Sequence, residues 1–296
     1  MNIAELLSSP MAIMPEKLLE IQAFYAARLR GEHIDIEALE ARLGKTLSSQ
    51  DQGYQNIGGV AVIPIMGVTG KKMNMMSQIS GGASTQMIGR DVKAALADSE
   101  IESILLHIES PGGTVDGTQI LADIIKMAGD HKPVMAFADG LMASAAYWIG
   151  SAAHEIVASS ATTQIGSIGV VSTHTDISKA EAMEGIKTTE ISAGKYKRMT
   201  SQYEPLTKDG RALIQDQVDE LYTIFVDSVA INRGVDSEKV ISDMADGRVF
   251  LAKNAKKRGM IDHIATLETT ISNMQKGVWP MGTKKAEAEQ AAEPVA

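Results

Sequence analysis

Beyond Ile57, short apolar runs rich in β-branched residues alternate with longer amphipathic stretches, and few folds can use such an alternation. Val60 to Met66 is one such run, and it stops at Gly67 as a buried strand stops at a turn. Helical spacing covers 84–98, a strand pattern covers Ser103–Ile108, and a glycine turn leads to a helix over about 115–129. Pro133–Ala138 reads as the next strand, followed by a turn and a helix over about 142–152. Further β-type segments fall at Glu155–Ala158 and Ile168–Ser172. Strands separated by helices allow crossover connections, so the predicted fold class is α/β with a largely parallel sheet. Residues 67–83, rich in Gly, Met and Ser, read as a mobile loop.

The flanks differ from this middle. Leu18, Leu19, Ile21, Phe24, Tyr25 and Leu29 recur near helical spacing after Pro15, and a second short helix fits Asp35 to Leu43. Residues 1–52 are therefore expected to form an N-terminal helical extension, with the main domain over 53–280. Within that domain a long amphipathic helix covers about 208–232. Its stripe of Leu213, Ile214, Val218, Leu221, Phe225, Val226 and Val229 faces either the core or another subunit. Residues 281–296 are poor in bulky apolar groups and read as a disordered tail.

Composition removes several classes of function. The chain has no cysteine, which excludes a disulfide scaffold, a cysteine nucleophile and thiolate-bound metal. A formal charge of -9 argues against a nucleic-acid surface, which needs clustered Lys and Arg. No apolar run approaches membrane-spanning length, and acidic residues interrupt the N-terminus where a signal peptide is apolar. The expectation is a cytoplasmic protein with no membrane anchor. No HExxH or comparable ligand spacing occurs, so neither metal nor cofactor is expected.

Two strand-to-helix junctions could carry chemistry. Glu109-Ser110-Pro111-Gly112-Gly113-Thr114 follows a strand, and its glycines let backbone N–H groups approach a ligand with no Cβ in the way. Asp139-Gly140-Leu141-Met142-Ala143-Ser144-Ala145 puts a serine at the mouth of a helix, where its hydroxyl can attack and the next N–H can face an oxyanion. Taken alone, each has a structural reading: a tight turn, and small residues for close helix packing. A serine nucleophile also needs a base. His174, with Asp176 nearby, is the one histidine placed for a triad. The alternative is a lysine from Ser192-Ala193-Gly194-Lys195-Tyr196-Lys197-Arg198, which would need its amine deprotonated by burial or nearby positive charge.

Taken in order, the Pro-Gly-Gly turn, the serine-bearing helix, GSIGV at 166–170, the glycine–lysine segment and DGRVF at 246–250 are informative together. Over about 57–267 this arrangement closely resembles the signal peptide peptidase A family of Ser-Lys peptidases, and within it the soluble capsid-maturation proteases of tailed bacteriophages. The resemblance implies a Clp protease/crotonase-like spiral of β-β-α units. It implies Ser144 as nucleophile and Lys197, fourth in Gly194-Lys195-Tyr196-Lys197, as general base, with Lys195 as the fallback. Gly113 and Ala145 would supply oxyanion N–H groups, and Gly112 and Gly140 would border bound peptide. The implied substrate is a capsid or scaffold protein, and the implied assembly is a homo-oligomeric ring that can share serine and lysine between subunits. The setting would be host cytoplasm or procapsid. A housekeeping peptidase of the same family, a structural subunit and a crotonase-like acyl-CoA enzyme are the competing readings.

Overall fold

The computed structural model describes residues 9–29, 53–72 and 82–278. In chain order, β1 (Met11–Ile13) and α1 (Pro15–Leu29) precede β2 (Gln55–Ile57), β3 (Val60–Met66) and β4 (Thr69–Gly70). Then come β5 (Ala83–Ser84), α2 (Thr85–Ala97), β6 (Ser103–Ser110), β7 (Gly112–Thr114) and α3 (Thr118–Gly129). β8 (Val134–Ala143), α4 (Ala145–Ser151), β9 (Glu155–Ala158) and β10 (Gln164–Gly166) come next. The remainder is mostly helical: α5 (Ser178–Met183), α6 (Lys208–Arg233), α7 (Ser237–Asp243), β11 (Val249–Leu251), α8 (Ala252–Lys257), β12 (His263–Ile264) and α9 (Leu267–Gln275).

The expected α/β fold with a largely parallel sheet is present. β3, β6, β8 and β9 are successive parallel neighbours, and β10 runs parallel to β8. Both faces of this sheet are covered, so its strands are apolar on both sides rather than alternating. Ile63, Ile104, Leu106 and Ala136 pack with Ile88 and Val92 of α2 and Leu121 and Ile125 of α3. Val62, Leu105, Met135 and Phe137 face the other way and pack with Met274 of α9. The order strand–strand–helix recurs in β4–β5–α2 and β6–β7–α3, so the chain advances as a series of β-β-α units. Their short strands build a second sheet, ordered β1–β7–β4–β5, beside the large one.

Several boundaries differ from expectation, each for a local reason. The segment expected as a loop over 67–83 contributes β4 and β5 to the small sheet, while its middle lies outside the described residues. α3 begins at Thr118 rather than 115 because Gly117 holds φ 88° just before it. The β-type segment at 168–172 is not a strand: the strand ends at Gly166, Ser167 turns at φ 53°, and only Val171 makes a bridge. α6 has the expected span, capped by Thr207, whose hydroxyl accepts from the Gly210 N–H, and ended by Gly234 at φ 65°. Its stripe divides. Phe225, Val226 and Val229 are buried, whereas Leu213 is exposed and Ile214, Val218 and Leu221 are only partly covered. The helix expected over Asp35 to Leu43 and the tail at 281–296 lie outside the described residues.

Candidate active site

Ser144 is the hinge between the central strand and its helix. β8 ends at Ala143 and α4 starts at Ala145, so one residue must reverse the chain. It does so at φ 55°, ψ -121°, a conformation that side chains other than glycine rarely adopt. Such a backbone persists only where its surroundings hold it. The Ser144 N–H donates to Gly166 O at 2.7 Å, and its carbonyl accepts from the Trp148 N–H at 3.0 Å. The next such turn is tied in the same way, Ser167 N–H donating to Arg248 O at 2.7 Å. The main chain of the serine is thus hung from β10, and β10 from the approach to β11.

Packing holds α4 from behind. Ala145, Ala146 and Ile149 are fully enclosed, and Trp148 stacks on Phe225 of α6 with centroids 4.5 Å apart and planes 10° from parallel. The Tyr147 hydroxyl donates to Met260 O at 3.0 Å, and burial pushes its ionisation far above the ordinary phenol range. Against this rigid backing the Ser144 Oγ is buried and finds no hydrogen-bond partner among the described residues.

The glycines of the Pro-Gly-Gly turn lie against the serine. Gly112 has φ 96°, and a Cβ there would fall 2.3 Å from Ala12 O, 2.8 Å from Ser144 Cβ and 2.9 Å from Ala143 O. A Cβ on Gly113 would fall 1.7 Å from Thr69 O, because β7 runs directly alongside β4. Both positions are glycine through close backbone approach on opposite sides of β7. Ser110 Oγ fixes the entry to the turn by accepting from the Gly112 N–H at 3.2 Å. The Ala145 N–H, first in α4, has no acceptor within its own helix. Gly140 is different: it is exposed, four residues back along β8, and its N–H donates to Ser159 Oγ at 3.2 Å.

None of the three base candidates hydrogen-bonds to the Ser144 hydroxyl within this chain. Lys197 and Lys195 both sit in an exposed turn, Lys195 with its ammonium 5.0 Å from the Tyr196 ring centroid. His174 is engaged elsewhere, its Nε2 lying 2.9 Å from Ser201 O. Asp176 accepts from both the hydroxyl and the N–H of Ser178, which holds its carboxyl below the ordinary range. No His–Asp–Ser relay forms there. The segment carrying the lysines is held by an Arg198–Glu190 ion pair and by the Ser201 hydroxyl donating to Glu190. It leaves Met183, Ile186, Ile191 and Tyr196 exposed. Among the described residues no group of acidic and histidine side chains could hold a metal ion, and no helix is long and apolar enough to cross a membrane.

Sequence reasoning missed β1 altogether. Met11–Ile13 pairs antiparallel with Gly112–Thr114 and is nearly inaccessible to solvent. The available signal was the four-residue apolar run Met11-Ala12-Ile13-Met14 bracketed by Pro10 and Pro15.

Comparison with known proteins gives this geometry a context. The family model for peptidase family S49 matches residues 126–280. The capsid assembly protease C of Escherichia phage lambda is 30% identical over 246 residues, covering 81% of this chain and 55% of that protein. The chloroplastic serine protease SPPA of Arabidopsis thaliana is 30% identical over 290 residues, covering 91% of this chain and 42% of that protein. The chain spans about half the length of the curated relatives it matches. Among solved structures, a point mutant of the Listeria monocytogenes protease ClpP1 superposes with a TM-score of 0.45 at 15% identity, covering 70% of this chain and 92% of that one.

Proposed function

Because the chain belongs to peptidase family S49, we propose that it is a serine endopeptidase in which Ser144 attacks the peptide carbonyl and Lys197 is the general base. The carrying observation is Ser144 itself: a non-glycine residue forced to φ 55° at a strand–helix junction, with a buried hydroxyl that bonds to nothing among the described residues. Backbone strain and an orphan polar atom at one residue are costs that folding alone gives no reason to keep. In this reading the Lys197 amine takes the hydroxyl proton as Oγ adds to the carbonyl. The tetrahedral oxyanion is met by the N–H groups of Gly113 and Ala145. Collapse expels the amine half of the peptide, which receives the proton from Lys197, and leaves an acyl-enzyme on Ser144. Water, deprotonated by the same amine, then releases the acid half.

The base is brought by a neighbouring subunit. Two observations support this: the exposure of Lys197 on a segment that also exposes Met183, Ile186 and Ile191, and the partly bare stripe on the first half of α6. Apolar surface of that extent is the kind that assembly covers. A homo-oligomeric ring would place one subunit's lysine segment over the next subunit's serine. The substrate proposed is a capsid or scaffold protein, because the lambda relative is a capsid assembly protease. The site of action is then the host cytoplasm or the procapsid.

Mixing two inactive variants tests the shared dyad. Ser144→Ala and Lys197→Ala are each expected to lack cleavage of fluorescent casein. Co-assembled at equal amounts, about a quarter of the sites pair an intact serine with an intact lysine, and activity returns to about that fraction. Co-assembled rings with no recovery would place both groups in one chain. Full activity in either single variant would end the Ser-Lys reading. Mass spectrometry of new N-termini, wild type against Ser144→Ala, assigns the substrate; processing of cell proteins with capsid and scaffold proteins untouched would favour a housekeeping peptidase.

A further inference from the structure

The small sheet contains a guest, and its position bears on the peptidase reading just given, on which this inference rests. β1 lies between β7, whose Gly112 borders Ser144, and the backbone at Val171. On one side it pairs antiparallel with β7, Met11 opposite Thr114, Ala12 opposite Gly113 and Ile13 opposite Gly112. Bonds on either side extend the ladder: Met14 N–H to Pro111 O at 3.0 Å and Val115 N–H to Pro10 O at 3.3 Å. On its other edge Met11 exchanges both backbone bonds with Val171, at 2.9 and 2.8 Å. Met11, Ala12 and Ile13 are 2%, 0% and 3% exposed.

An extended segment bonded along both edges, with its side chains enclosed, is how a sheet edge takes up a peptide. The register is also that of a substrate. Bonded pairs alternate along an antiparallel ladder, and Ala12 with Gly113 falls midway between the two flanking bonds, at a bonded position. The Ala12 carbonyl therefore faces the backbone donor assigned to the oxyanion. The space beside the Gly112 Cα says the same, since Ala12 O and Ser144 Cβ both border it. Helix α1 fastens β1 from outside: its Leu18 and Ile21 are buried, and its Gln22 donates to Thr173 Oγ1 at 3.3 Å.

We propose that Pro10–Met14 is a resident occupant of the peptide groove, with Pro10–Ala12 on its acyl side, and holds the peptidase latent until it is displaced. The groove so defined takes an extended peptide, antiparallel to Gly112–Thr114, with a small residue opposite Gly113. Ala12 is fully enclosed in that place, where a larger side chain would have to find room among its walls.

The absence of cysteine makes a clean test possible. In the full chain, Met11→Cys with Val171→Cys supplies one thiol pair. The two residues form a bonded antiparallel pair with Cα atoms about 5.5 Å apart, within the span of a disulfide. Oxidation is expected to consume both thiols. Labelling of Ser144 by a fluorophosphonate probe is then expected to be at least about tenfold slower in the oxidised form than in the same protein reduced. Separately, Ala12→Pro removes an N–H from the ladder and should speed labelling by about tenfold, which keeps the question decidable if the lock impairs folding. Thiols that fail to pair, or equal labelling of oxidised, reduced and Ala12→Pro forms, would overturn the latent-strand proposal while leaving a peptidase. If no form is labelled at Ser144, the peptidase reading fails and the proposal falls with it.

Discussion

Ser144→Ala and Ser144→Gly separate two costs that converge on one residue. The first cost is a buried hydroxyl with no partner among the described residues, about 1–3 kcal/mol against the same hydroxyl in water. Alanine removes that oxygen while keeping the backbone, so after a small loss of contact the variant should be about 1 kcal/mol more stable than wild type. The second cost is the left-handed φ of 55° with ψ of -121°, about 1–3 kcal/mol for a residue with a Cβ. Glycine relieves both, less about 0.5–1 kcal/mol for the extra freedom of its unfolded chain, a net gain of about 2 kcal/mol. In a chain of this size each kcal/mol moves the melting temperature by about 2–4 °C. The expected order is therefore wild type, then Ser144→Ala a few degrees higher, then Ser144→Gly higher again. Differential scanning calorimetry at matched protein concentration reads this directly, the matching being needed because assembly also shifts melting. A Ser144→Gly protein that melts at or below wild type would refute the claim that function holds this residue against stability.

Gly113→Ala should fail at folding rather than at acylation, because the new carbon meets backbone of β4 at 1.7 Å; a loss of about 3 kcal/mol or more is expected in urea denaturation. Trp148→Ala should cost about 3–5 kcal/mol by emptying the contact with Phe225. Trp148→Phe should cost under half of that, since it keeps a ring there and removes an Nε1 donor that has no partner among the described residues; the same titration compares them. The Tyr54 hydroxyl donates to Asp98 at 2.6 Å and, with the Glu100 N–H, holds that carboxyl below its ordinary 3.8. A depressed carboxyl adds stability above its unfolded value and loses it as pH falls through the folded one. The stability gap between wild type and Tyr54→Phe, read by thermal melts, should be full at pH 7 and shrink as the pH falls below 3.8.

The large sheet was legible because each of its strands is a local pattern: Val60–Met66, Ser103–Ile108 and Glu155–Ala158 announce themselves by composition. The place of the serine between a strand and a helix was legible for a similar reason, although the turn expected at Gly140 is part of β8, which runs to Ala143, and the helix starts at Ala145 rather than 142. The small sheet was not. β1, β4 and β5 are two or three residues long, and β1 reaches its partner β7 across about a hundred residues, where no periodicity can report it. α6 shows the limit from the other side. Its apolar stripe runs nearly the length of the helix, yet only the last turns meet this chain's core, and the sequence has no mark for where coverage stops. Lysine placement was equally hidden, since Gly194-Lys195-Tyr196-Lys197 fixes a spacing along the chain and says nothing about which serine it approaches.

Ser144 hangs by its N–H from Gly166, and Ser167, one residue on, hangs from Arg248. Arg248 reaches Ser167 only through its carbonyl, while its guanidinium is two-thirds exposed, paired with Asp246 and 5.5 Å from the Phe250 ring centroid. Side-chain changes at 248 should therefore be nearly silent, whereas adding or deleting a single residue between 246 and 249 would reset where that carbonyl stands. Ser144 is thus indifferent to spelling at this distant loop and sensitive to its length, which makes insertion variants there a gentle instrument for displacing its hydroxyl without touching the Pro-Gly-Gly turn beside it.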